Sequence, residues 1–177
     1  HPKLGQTYNI IITGVGGNRL FHNEPAPDGG RRFREVTTEA GVGGPGGWPQ
    51  ASDGNFLSRK EPLPFCTSAS FLDYDGDGLL DLFVCSYVTW SPDYDLHANF
   101  SVAGEDRAFG PPTAFEGAQC FLYHNLGGGK FEDVSAKAGI PVFDAAGVEP
   151  GGRKRSVAKA PCMIAAAGER AGDPRGG

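Results

Sequence analysis

One unit occurs twice in this chain, and it limits the fold more than any other feature. Leu20-Phe21-His22-Asn23 is matched 102 residues later by Leu122-Tyr123-His124-Asn125. Phe33-Arg34-Glu35-Val36-Thr37-Thr38-Glu39-Ala40-Gly41-Val42 is matched 98 residues later by Phe131-Glu132-Asp133-Val134-Ser135-Ala136-Lys137-Ala138-Gly139-Ile140. The turn inside the unit is therefore four residues shorter in the second copy. Strands that keep their length while the loop between them drifts mark an internal repeat.

Each half of the unit has a physical reading. The Leu-aromatic-His-Asn tetrad reads as a short strand ending in a turn former. Asn125-Leu126-Gly127-Gly128-Gly129 supplies residues that tolerate positive φ, as a tight hairpin needs. Phe131 and Val134 are apolar anchors, Ser135 to Ala138 suffices for one helical turn, and Gly139 ends it in the left-handed region, as Gly41 does in the first copy. Further strands are predicted at Tyr8–Thr13 and Leu82–Tyr87, ahead of the two tetrads. The segment 89–118 between the second strand and its tetrad has no sustained period and reads as a long loop.

Composition agrees with a turn-rich all-β chain. Gly (28) and Pro (14) make up roughly a quarter of 177 residues. Apolar residues at 39%, with 12 Phe, still suffice for a core, and 21% charged residues are too few for a disordered polyelectrolyte. The glycines lack a three-residue period, which excludes collagen, and no apolar run approaches the roughly 18 residues of a membrane helix. A net charge of −5 argues against nucleic-acid binding, and Arg153-Lys154-Arg155 reads as a solvated turn.

Four cysteines (Cys66, Cys85, Cys120 and Cys162) are widely spaced without a CxxC, so neither zinc nor a thioredoxin-like motif is indicated. Cys85 reads as a small buried hydrophobe, and the spacing leaves a Cys66–Cys120 bridge open. Asn99-Phe100-Ser101 is a glycosylation sequon, meaningful in a secreted eukaryotic chain. The chain starts at His1 without an apolar leader, which fits either a processed protein or a fragment.

The strongest chemical signal is Asp73-Tyr74-Asp75-Gly76-Asp77-Gly78-Leu79-Leu80-Asp81. Four carboxylates within nine residues repel one another unless a cation compensates them. Alternate carboxylates in a tightly curved loop turn inward together, and the Leu79 carbonyl can add a backbone oxygen. This is hard oxygen ligation of the kind Ca²⁺ takes, by Asp73, Asp75, Asp77, Leu79 and Asp81. It is not an EF-hand: Val84 stands at loop position 12, where the bidentate Glu belongs, and the flanks Phe71-Leu72 and Leu82 to Val84 are β-rich.

The strand–DxDxDGxxD–strand arrangement resembles the FG-GAP or VCBS repeat of integrin-α-like β-propellers. With Thr67-Ser68-Ala69-Ser70-Phe71 before the loop, Ser86-Tyr87-Val88-Thr89-Trp90 after it, and two Asn…Phe…Val…Ala-Gly units, the chain resembles the ASPIC/UnbV (cartilage acidic protein-like) group over residues 8–160 or so. The resemblance implies an all-β fold, a partial β-propeller of about two to three blades from a seven-bladed ring. It also implies calcium held by Asp73, Asp75, Asp77, the Leu79 carbonyl and Asp81, and an extracellular or periplasmic setting. On this reading residues 1–160 are the propeller segment, with the insertion at 89–118, and 161–177 form a poorly ordered or aberrant tail. The chain departs from the family in three ways: Phe100 and Phe109 stand where bacterial relatives carry insertion cysteines, no Asp loop precedes Tyr8, and none follows Lys159.

Catalytic motifs are weak. Gly14-Val15-Gly16-Gly17 hints at a dinucleotide loop, but Arg19 stands where the third glycine belongs. His22 and His124 occupy equivalent repeat positions and read as structural. Glu116 and Asp106 lack a pairing partner, and Trp48 and Trp90 read as anchors rather than sugar platforms. The expected function is therefore non-catalytic: a calcium-binding extracellular propeller segment for recognition or adhesion, contacting an unidentified protein or glycan through 89–118. Other blades of the same full-length chain are candidate partners, while nucleic acid and membrane insertion are excluded. The alternative is an accessory propeller part of a secreted carbohydrate-active enzyme whose catalytic domain lies elsewhere. A bare scaffold is a third reading.

Overall fold

The computed structural model of the chain describes residues 9–44, 61–98, 100, 101, 104, 108, 110, 111 and 114–140. These residues are mostly β, in two antiparallel sheets. The first sheet is a three-stranded meander of β1 (Ile10–Gly14), β2 (Gly17–Pro25) and β3 (Arg31–Glu35), followed by the single-turn helix α1 (Thr37–Ala40). The second is a four-stranded meander of β4 (Leu63–Leu72), β5 (Asp81–Trp90), β6 (Phe121–Gly127) and β7 (Lys130–Asp133). A short helix α2 (Pro92–His97) lies between β5 and β6.

β5 shows how sequence makes strand here. Its β-branched and aromatic residues favour a pleated surface, and the two-residue period sorts them: Leu82, Val84, Ser86 and Val88 are buried, while Phe83, Cys85 and Tyr87 are half-buried. Cys85 therefore lies on the less covered face and is not the fully buried hydrophobe expected. The strand is longer than Leu82–Tyr87 because β4 pairs with both of its ends, Leu72 with Asp81 and Leu63 with Trp90, and the end of the insertion pairs on the other side: the Thr89 amide donates to the Glu116 carbonyl (2.7 Å), and the Ala118 amide to the Tyr87 carbonyl (3.1 Å). β1 begins at Ile10, and Tyr8 lies outside the described residues. β2 runs two residues past Asn23, so the first tetrad does not end its strand; the turn falls at Ala26–Gly30, where the Ala26 amide donates to the Gly30 carbonyl.

The repeat is reproduced in the register of its strands. Ile10 pairs with Phe21 and Phe21 with Glu35, as Leu82 pairs with Tyr123 and Tyr123 with Asp133. β1, β2 and β3 are thus the counterparts of β5, β6 and β7, and β4 has no counterpart among the described residues. In both copies a hydroxyl clamps the end of the unit. The Leu20 amide donates to Thr37 Oγ1 (2.9 Å) and the Leu122 amide to Ser135 Oγ (3.0 Å). Each hydroxyl donates in turn to a carboxylate two residues earlier, Glu35 or Asp133. The helical turn also recurs: the Ala40 amide donates to the Val36 carbonyl and the Ala138 amide to the Val134 carbonyl, each at 2.8 Å. Gly41 (φ 78°) and Gly139 (φ 74°) then end it in the left-handed region, as the sequence predicts.

The sheets pack face to face around one cluster: Leu20, Ala40 and Val42 from the first unit, and Cys66, Leu82, Val84, Phe121 and Tyr123 from the second. The Gly16 amide reaches the Pro64 carbonyl (2.9 Å), next to a register shift in β4, and stitches the two sheets together. The outer edge strand β3 is fully exposed; Arg32 and Arg34 engage Glu24, and Arg34 also engages Glu39.

Cys66 and Cys85 are free thiols and Cys120 is disulfide-bonded, so the Cys66–Cys120 bridge left open by the spacing does not form. Burial pushes the Cys66 thiol up from its usual range, which keeps it protonated, and its sulfur contacts the Ser86 hydroxyl at 3.4 Å. The partner of Cys120, Cys162, Trp48, Asn99, Asp106, Phe109, Arg153 to Arg155 and the expected tail at 161–177 lie outside the described residues. No helix among the described residues is long and apolar enough to cross a membrane.

Candidate metal centre

The acidic segment forms the hairpin loop between β4 and β5, closed by the Leu72–Asp81 pair at its base. The loop curls around its own carboxylates. Asp73 takes the Gly76 amide on Oδ1 (2.8 Å) and the Gly78 amide on Oδ2 (3.0 Å). Asp75 Oδ1 accepts from the Asp77 amide (3.3 Å), and Asp77 Oδ1 from the Leu79 amide (2.7 Å). Gly76 and Gly78 adopt φ of 78° and 86°, which brings these amides inward at little steric cost.

Two overlapping groups of ligand atoms result. Asp73, Asp75 and Asp77 offer one oxygen each, all within 4.8 Å of one another; Asp75, Asp81 and His124 form a second group on the same criterion. Two oxygens bound to one Ca²⁺ at 2.3–2.6 Å stand at most about 5 Å apart, so the first group fits a single hard cation. Asp75 belongs to both groups and joins them.

Asp81 is set apart from the other three by complete burial. Its Oδ1 accepts from the Asn125 amide (2.7 Å) and lies 3.1 Å from His124 Nδ1; its Oδ2 accepts from the Tyr74 amide (3.1 Å). Burial opposes ionisation, but the two amides and His124 outweigh it and hold the carboxyl below its usual range. Asp81 thus ties the loop to β6, and the Asn125 side chain adds a second tie by donating to the Leu80 carbonyl (2.8 Å). Desolvation first, and then the charges of Asp75, Asp81 and Asp77, push the Tyr74 phenol up from its ordinary range.

His124 is the residue that sequence reasoning set aside. Its Nδ1 also lies 3.4 Å from Asp75 Oδ2, and its ring meets Tyr74 edge-on at 5.9 Å between centroids. In the first copy His22 Nδ1 is 2.9 Å from Asn9 Oδ1, and no carboxylate stands at that position. The signal was present in the sequence: aligning the strand starts sets Asn9 against Asp81, so the two histidines, equivalent by register, face different chemistry.

The insertion contains a separate feature. Ser91 caps α2 by accepting the Tyr94 amide (3.2 Å), with Pro92 in the first turn. Ser-Pro-Asp is a helix-start signal, and it marks a regular element in a segment read as loop. A cleft of about 610 Å³ opens beside this helix, lined by Ser91, Asp93, Tyr94, His97, Phe115 and Glu116. The Tyr94 hydroxyl donates to the Ala114 carbonyl (2.9 Å), and its ring packs edge-on against Phe115 at 5.5 Å. Of the two candidate acids, Glu116 lines this cleft.

Comparison with family models, with curated proteins and with solved structures finds no match to this chain.

Proposed function

We propose that the Asp73–Asp81 loop binds Ca²⁺, and that the chain is a calcium-braced segment of a β-propeller acting in extracellular or periplasmic recognition or adhesion, without chemistry of its own. The observation that carries this reading is the convergence of Asp73, Asp75 and Asp77 to within 4.8 Å, each held by loop amides. Bound there, the ion supplies charge neutralisation and bracing of the β4–β5 hairpin; Asp73, Asp75, Asp77, Asp81 and the Leu79 carbonyl are the proposed ligands. Stacked meanders of one repeat unit are the form expected of propeller blades. A disulfide at Cys120 suits an oxidising compartment. The cleft at Tyr94 and Phe115, flanked by Asp93 and Glu116, is the proposed contact surface. Aromatic faces beside carboxylates also suit a sugar, which favours glycan binding in the accessory-module reading.

Calorimetric titration with Ca²⁺ tests the site. With a dissociation constant on the order of 10⁻⁴–10⁻³ M, about 10 mM calcium stabilises the fold by about 1.4–2.7 kcal/mol over EDTA. Asp75→Asn or Asp77→Asn removes that gain. A melting temperature unchanged by EDTA in the unmutated protein refutes a structural calcium site.

A further inference from the structure

The two repeat units carry different charge on the same frame. Strand pairing sets His22 opposite Arg34 in the first unit and His124 opposite Glu132 in the second. The strand starts match Asn9 to Asp81. Residues 61–98, which hold the acidic loop, contain seven Asp and Glu and no Lys or Arg. All four arginines among the described residues (Arg19, Arg31, Arg32 and Arg34) lie in the first unit. Around His124 the frame is acidic and suits a cation; around His22 the same positions hold an amide and a guanidinium.

A cleft of about 360 Å³ opens there, between the first unit and the β6–β7 hairpin of the second. Its apolar lining is Leu20, Val36 and Phe131. Its polar groups are mostly donors. Lys130 Nζ donates to the Glu39 carbonyl (2.6 Å) and has no ion pair among the described residues, so its charge is uncompensated. Arg34 is fixed by Glu24 through Nε (3.0 Å) and by Glu39 through Nη1 (2.9 Å), which leaves Nη2 uncommitted among the described residues. His22 Nδ1 meets Asn9 Oδ1 at 2.9 Å, so the Asn9 NH₂ is left to donate. The exposed turn amides of Gly128 and Gly129 edge the same cleft. The acid lining it, Glu39, is already engaged by Arg34.

We propose that this cleft binds a uronate, a sugar ring that carries a carboxylate. The carboxylate meets Lys130 and the turn amides, as charge-assisted hydrogen bonds favour. The ring hydroxyls meet Asn9, His22 and Arg34, and the apolar face of the ring covers Val36 and Phe131. Small-molecule sites run from about 300 to 1,000 Å³, so this cleft has room for one sugar unit and not for a chain. A neutral sugar leaves the Lys130 charge uncompensated, and a simple inorganic anion leaves the apolar lining uncovered. The cleft uses no residue of the Asp73–Asp81 loop, so it stands or fails apart from the calcium reading.

The test is an NMR titration of the nitrogen-15-labelled whole chain with D-glucuronate in EDTA. The amide signals of Asn9, Gly128, Gly129 and Lys130 are expected to shift together, and affinity is expected to fall as salt is added. Glucose and acetate, the ring and the carboxylate taken separately, are expected to bind at least about tenfold more weakly. Lys130→Gln is expected to lower affinity about tenfold. Glu39→Gln removes a negative charge from the cleft and is expected to raise affinity about threefold. Lys137→Gln, at the position in the second unit that matches Glu39, is expected to change nothing. The spectrum of each variant shows whether it is folded, and the opposite signs at Lys130 and Glu39 are not those of a general loss of structure. The methyl glycoside of glucuronate separates two sources: bound equally, the ligand is the end unit of a glycan; excluded, it is the free sugar acid. Glucose or acetate bound as tightly as glucuronate, shifts confined to other parts of the chain, or equal weakening by Lys130→Gln and Lys137→Gln overturns the proposal.

Discussion

Replacing Asp81 by Asn, read in the absence of metal, separates the structural role of this residue from its proposed role as a ligand. The carboxylate accepts from the Asn125 amide, from His124 and from the Tyr74 amide, and it is fully buried. An amide of the same shape keeps one oxygen. Turned toward Asn125 and His124, it faces the Tyr74 N–H with an NH₂ group, donor against donor. Hydrogen bonds to a charged acceptor are worth about 1.5–3 kcal/mol and neutral ones about 0.5–1.5, while a buried donor left unpaired costs about 1–3. Removing the charge also removes the cost of burying it, so the net loss is about 2 kcal/mol. Urea denaturation in EDTA reads this without the metal, as a midpoint lowered by about 1 M. The pH dependence has a definite sign. The folded pKa of Asp81 lies below its unfolded value, so its contribution is complete above about pH 5 and is lost as pH falls through about 4 toward the folded pKa. A protonated Asp81 is nearly an asparagine, so the difference between the two proteins closes on acidification. A difference under about 0.5 kcal/mol at neutral pH, or one that stays constant down to about pH 3, refutes the argument.

Two further substitutions probe the packing. The Tyr123 hydroxyl is buried without a hydrogen-bond partner, so Tyr123→Phe is expected to leave stability unchanged or raise it by about 1 kcal/mol; a loss above about 1 kcal/mol in urea denaturation contradicts this. Gly41 and Gly139 share a conformation but not a setting: a Cβ at Gly41 stands 2.9 Å from the Phe131 carbonyl oxygen, while one at Gly139 meets nothing within 4 Å. Gly139→Ala should cost about 1 kcal/mol of left-handed strain and Gly41→Ala at least about 1 kcal/mol more, and equal losses in paired thermal melts count against the inter-sheet contact.

The repeat was legible because its register is carried by residues of distinctive type. Leu-aromatic-His-Asn, the Val anchor and the Ala-Gly stop each leave a mark in the sequence, and the acidic loop does so through its spacing. Strand ends were less legible, because pairing with distant chain decides them: β5 reaches Trp90 because Leu63 and Pro64 of β4 pair with Trp90 and Thr89 on one side and Glu116 and Ala118 return beside it on the other. The exposure of Cys85 depends on which face another sheet covers, which no local pattern states. The tie from Asp81 to Asn125 spans 44 residues, so the different role of His124 is carried by the Asn9–Asp81 difference at the strand starts and not by the residues around the histidine. The six residues of α2 are too few for a helical period to show, and only their capping chemistry marks them.

The charged edge of the first sheet has a consequence for solubility. An uncovered edge strand is a template for amyloid-type addition, since its unpaired amides and carbonyls accept any extended segment. β3 reads Arg-Arg-Phe-Arg-Glu, and its guanidiniums are already engaged by Glu24, Asn23 and Glu39. An incoming strand must crowd beside three like charges and disturb the pairs that hold them. Sideways growth of the sheet is thereby discouraged in the native protein, and fibril formation through this edge requires the unit to unfold first.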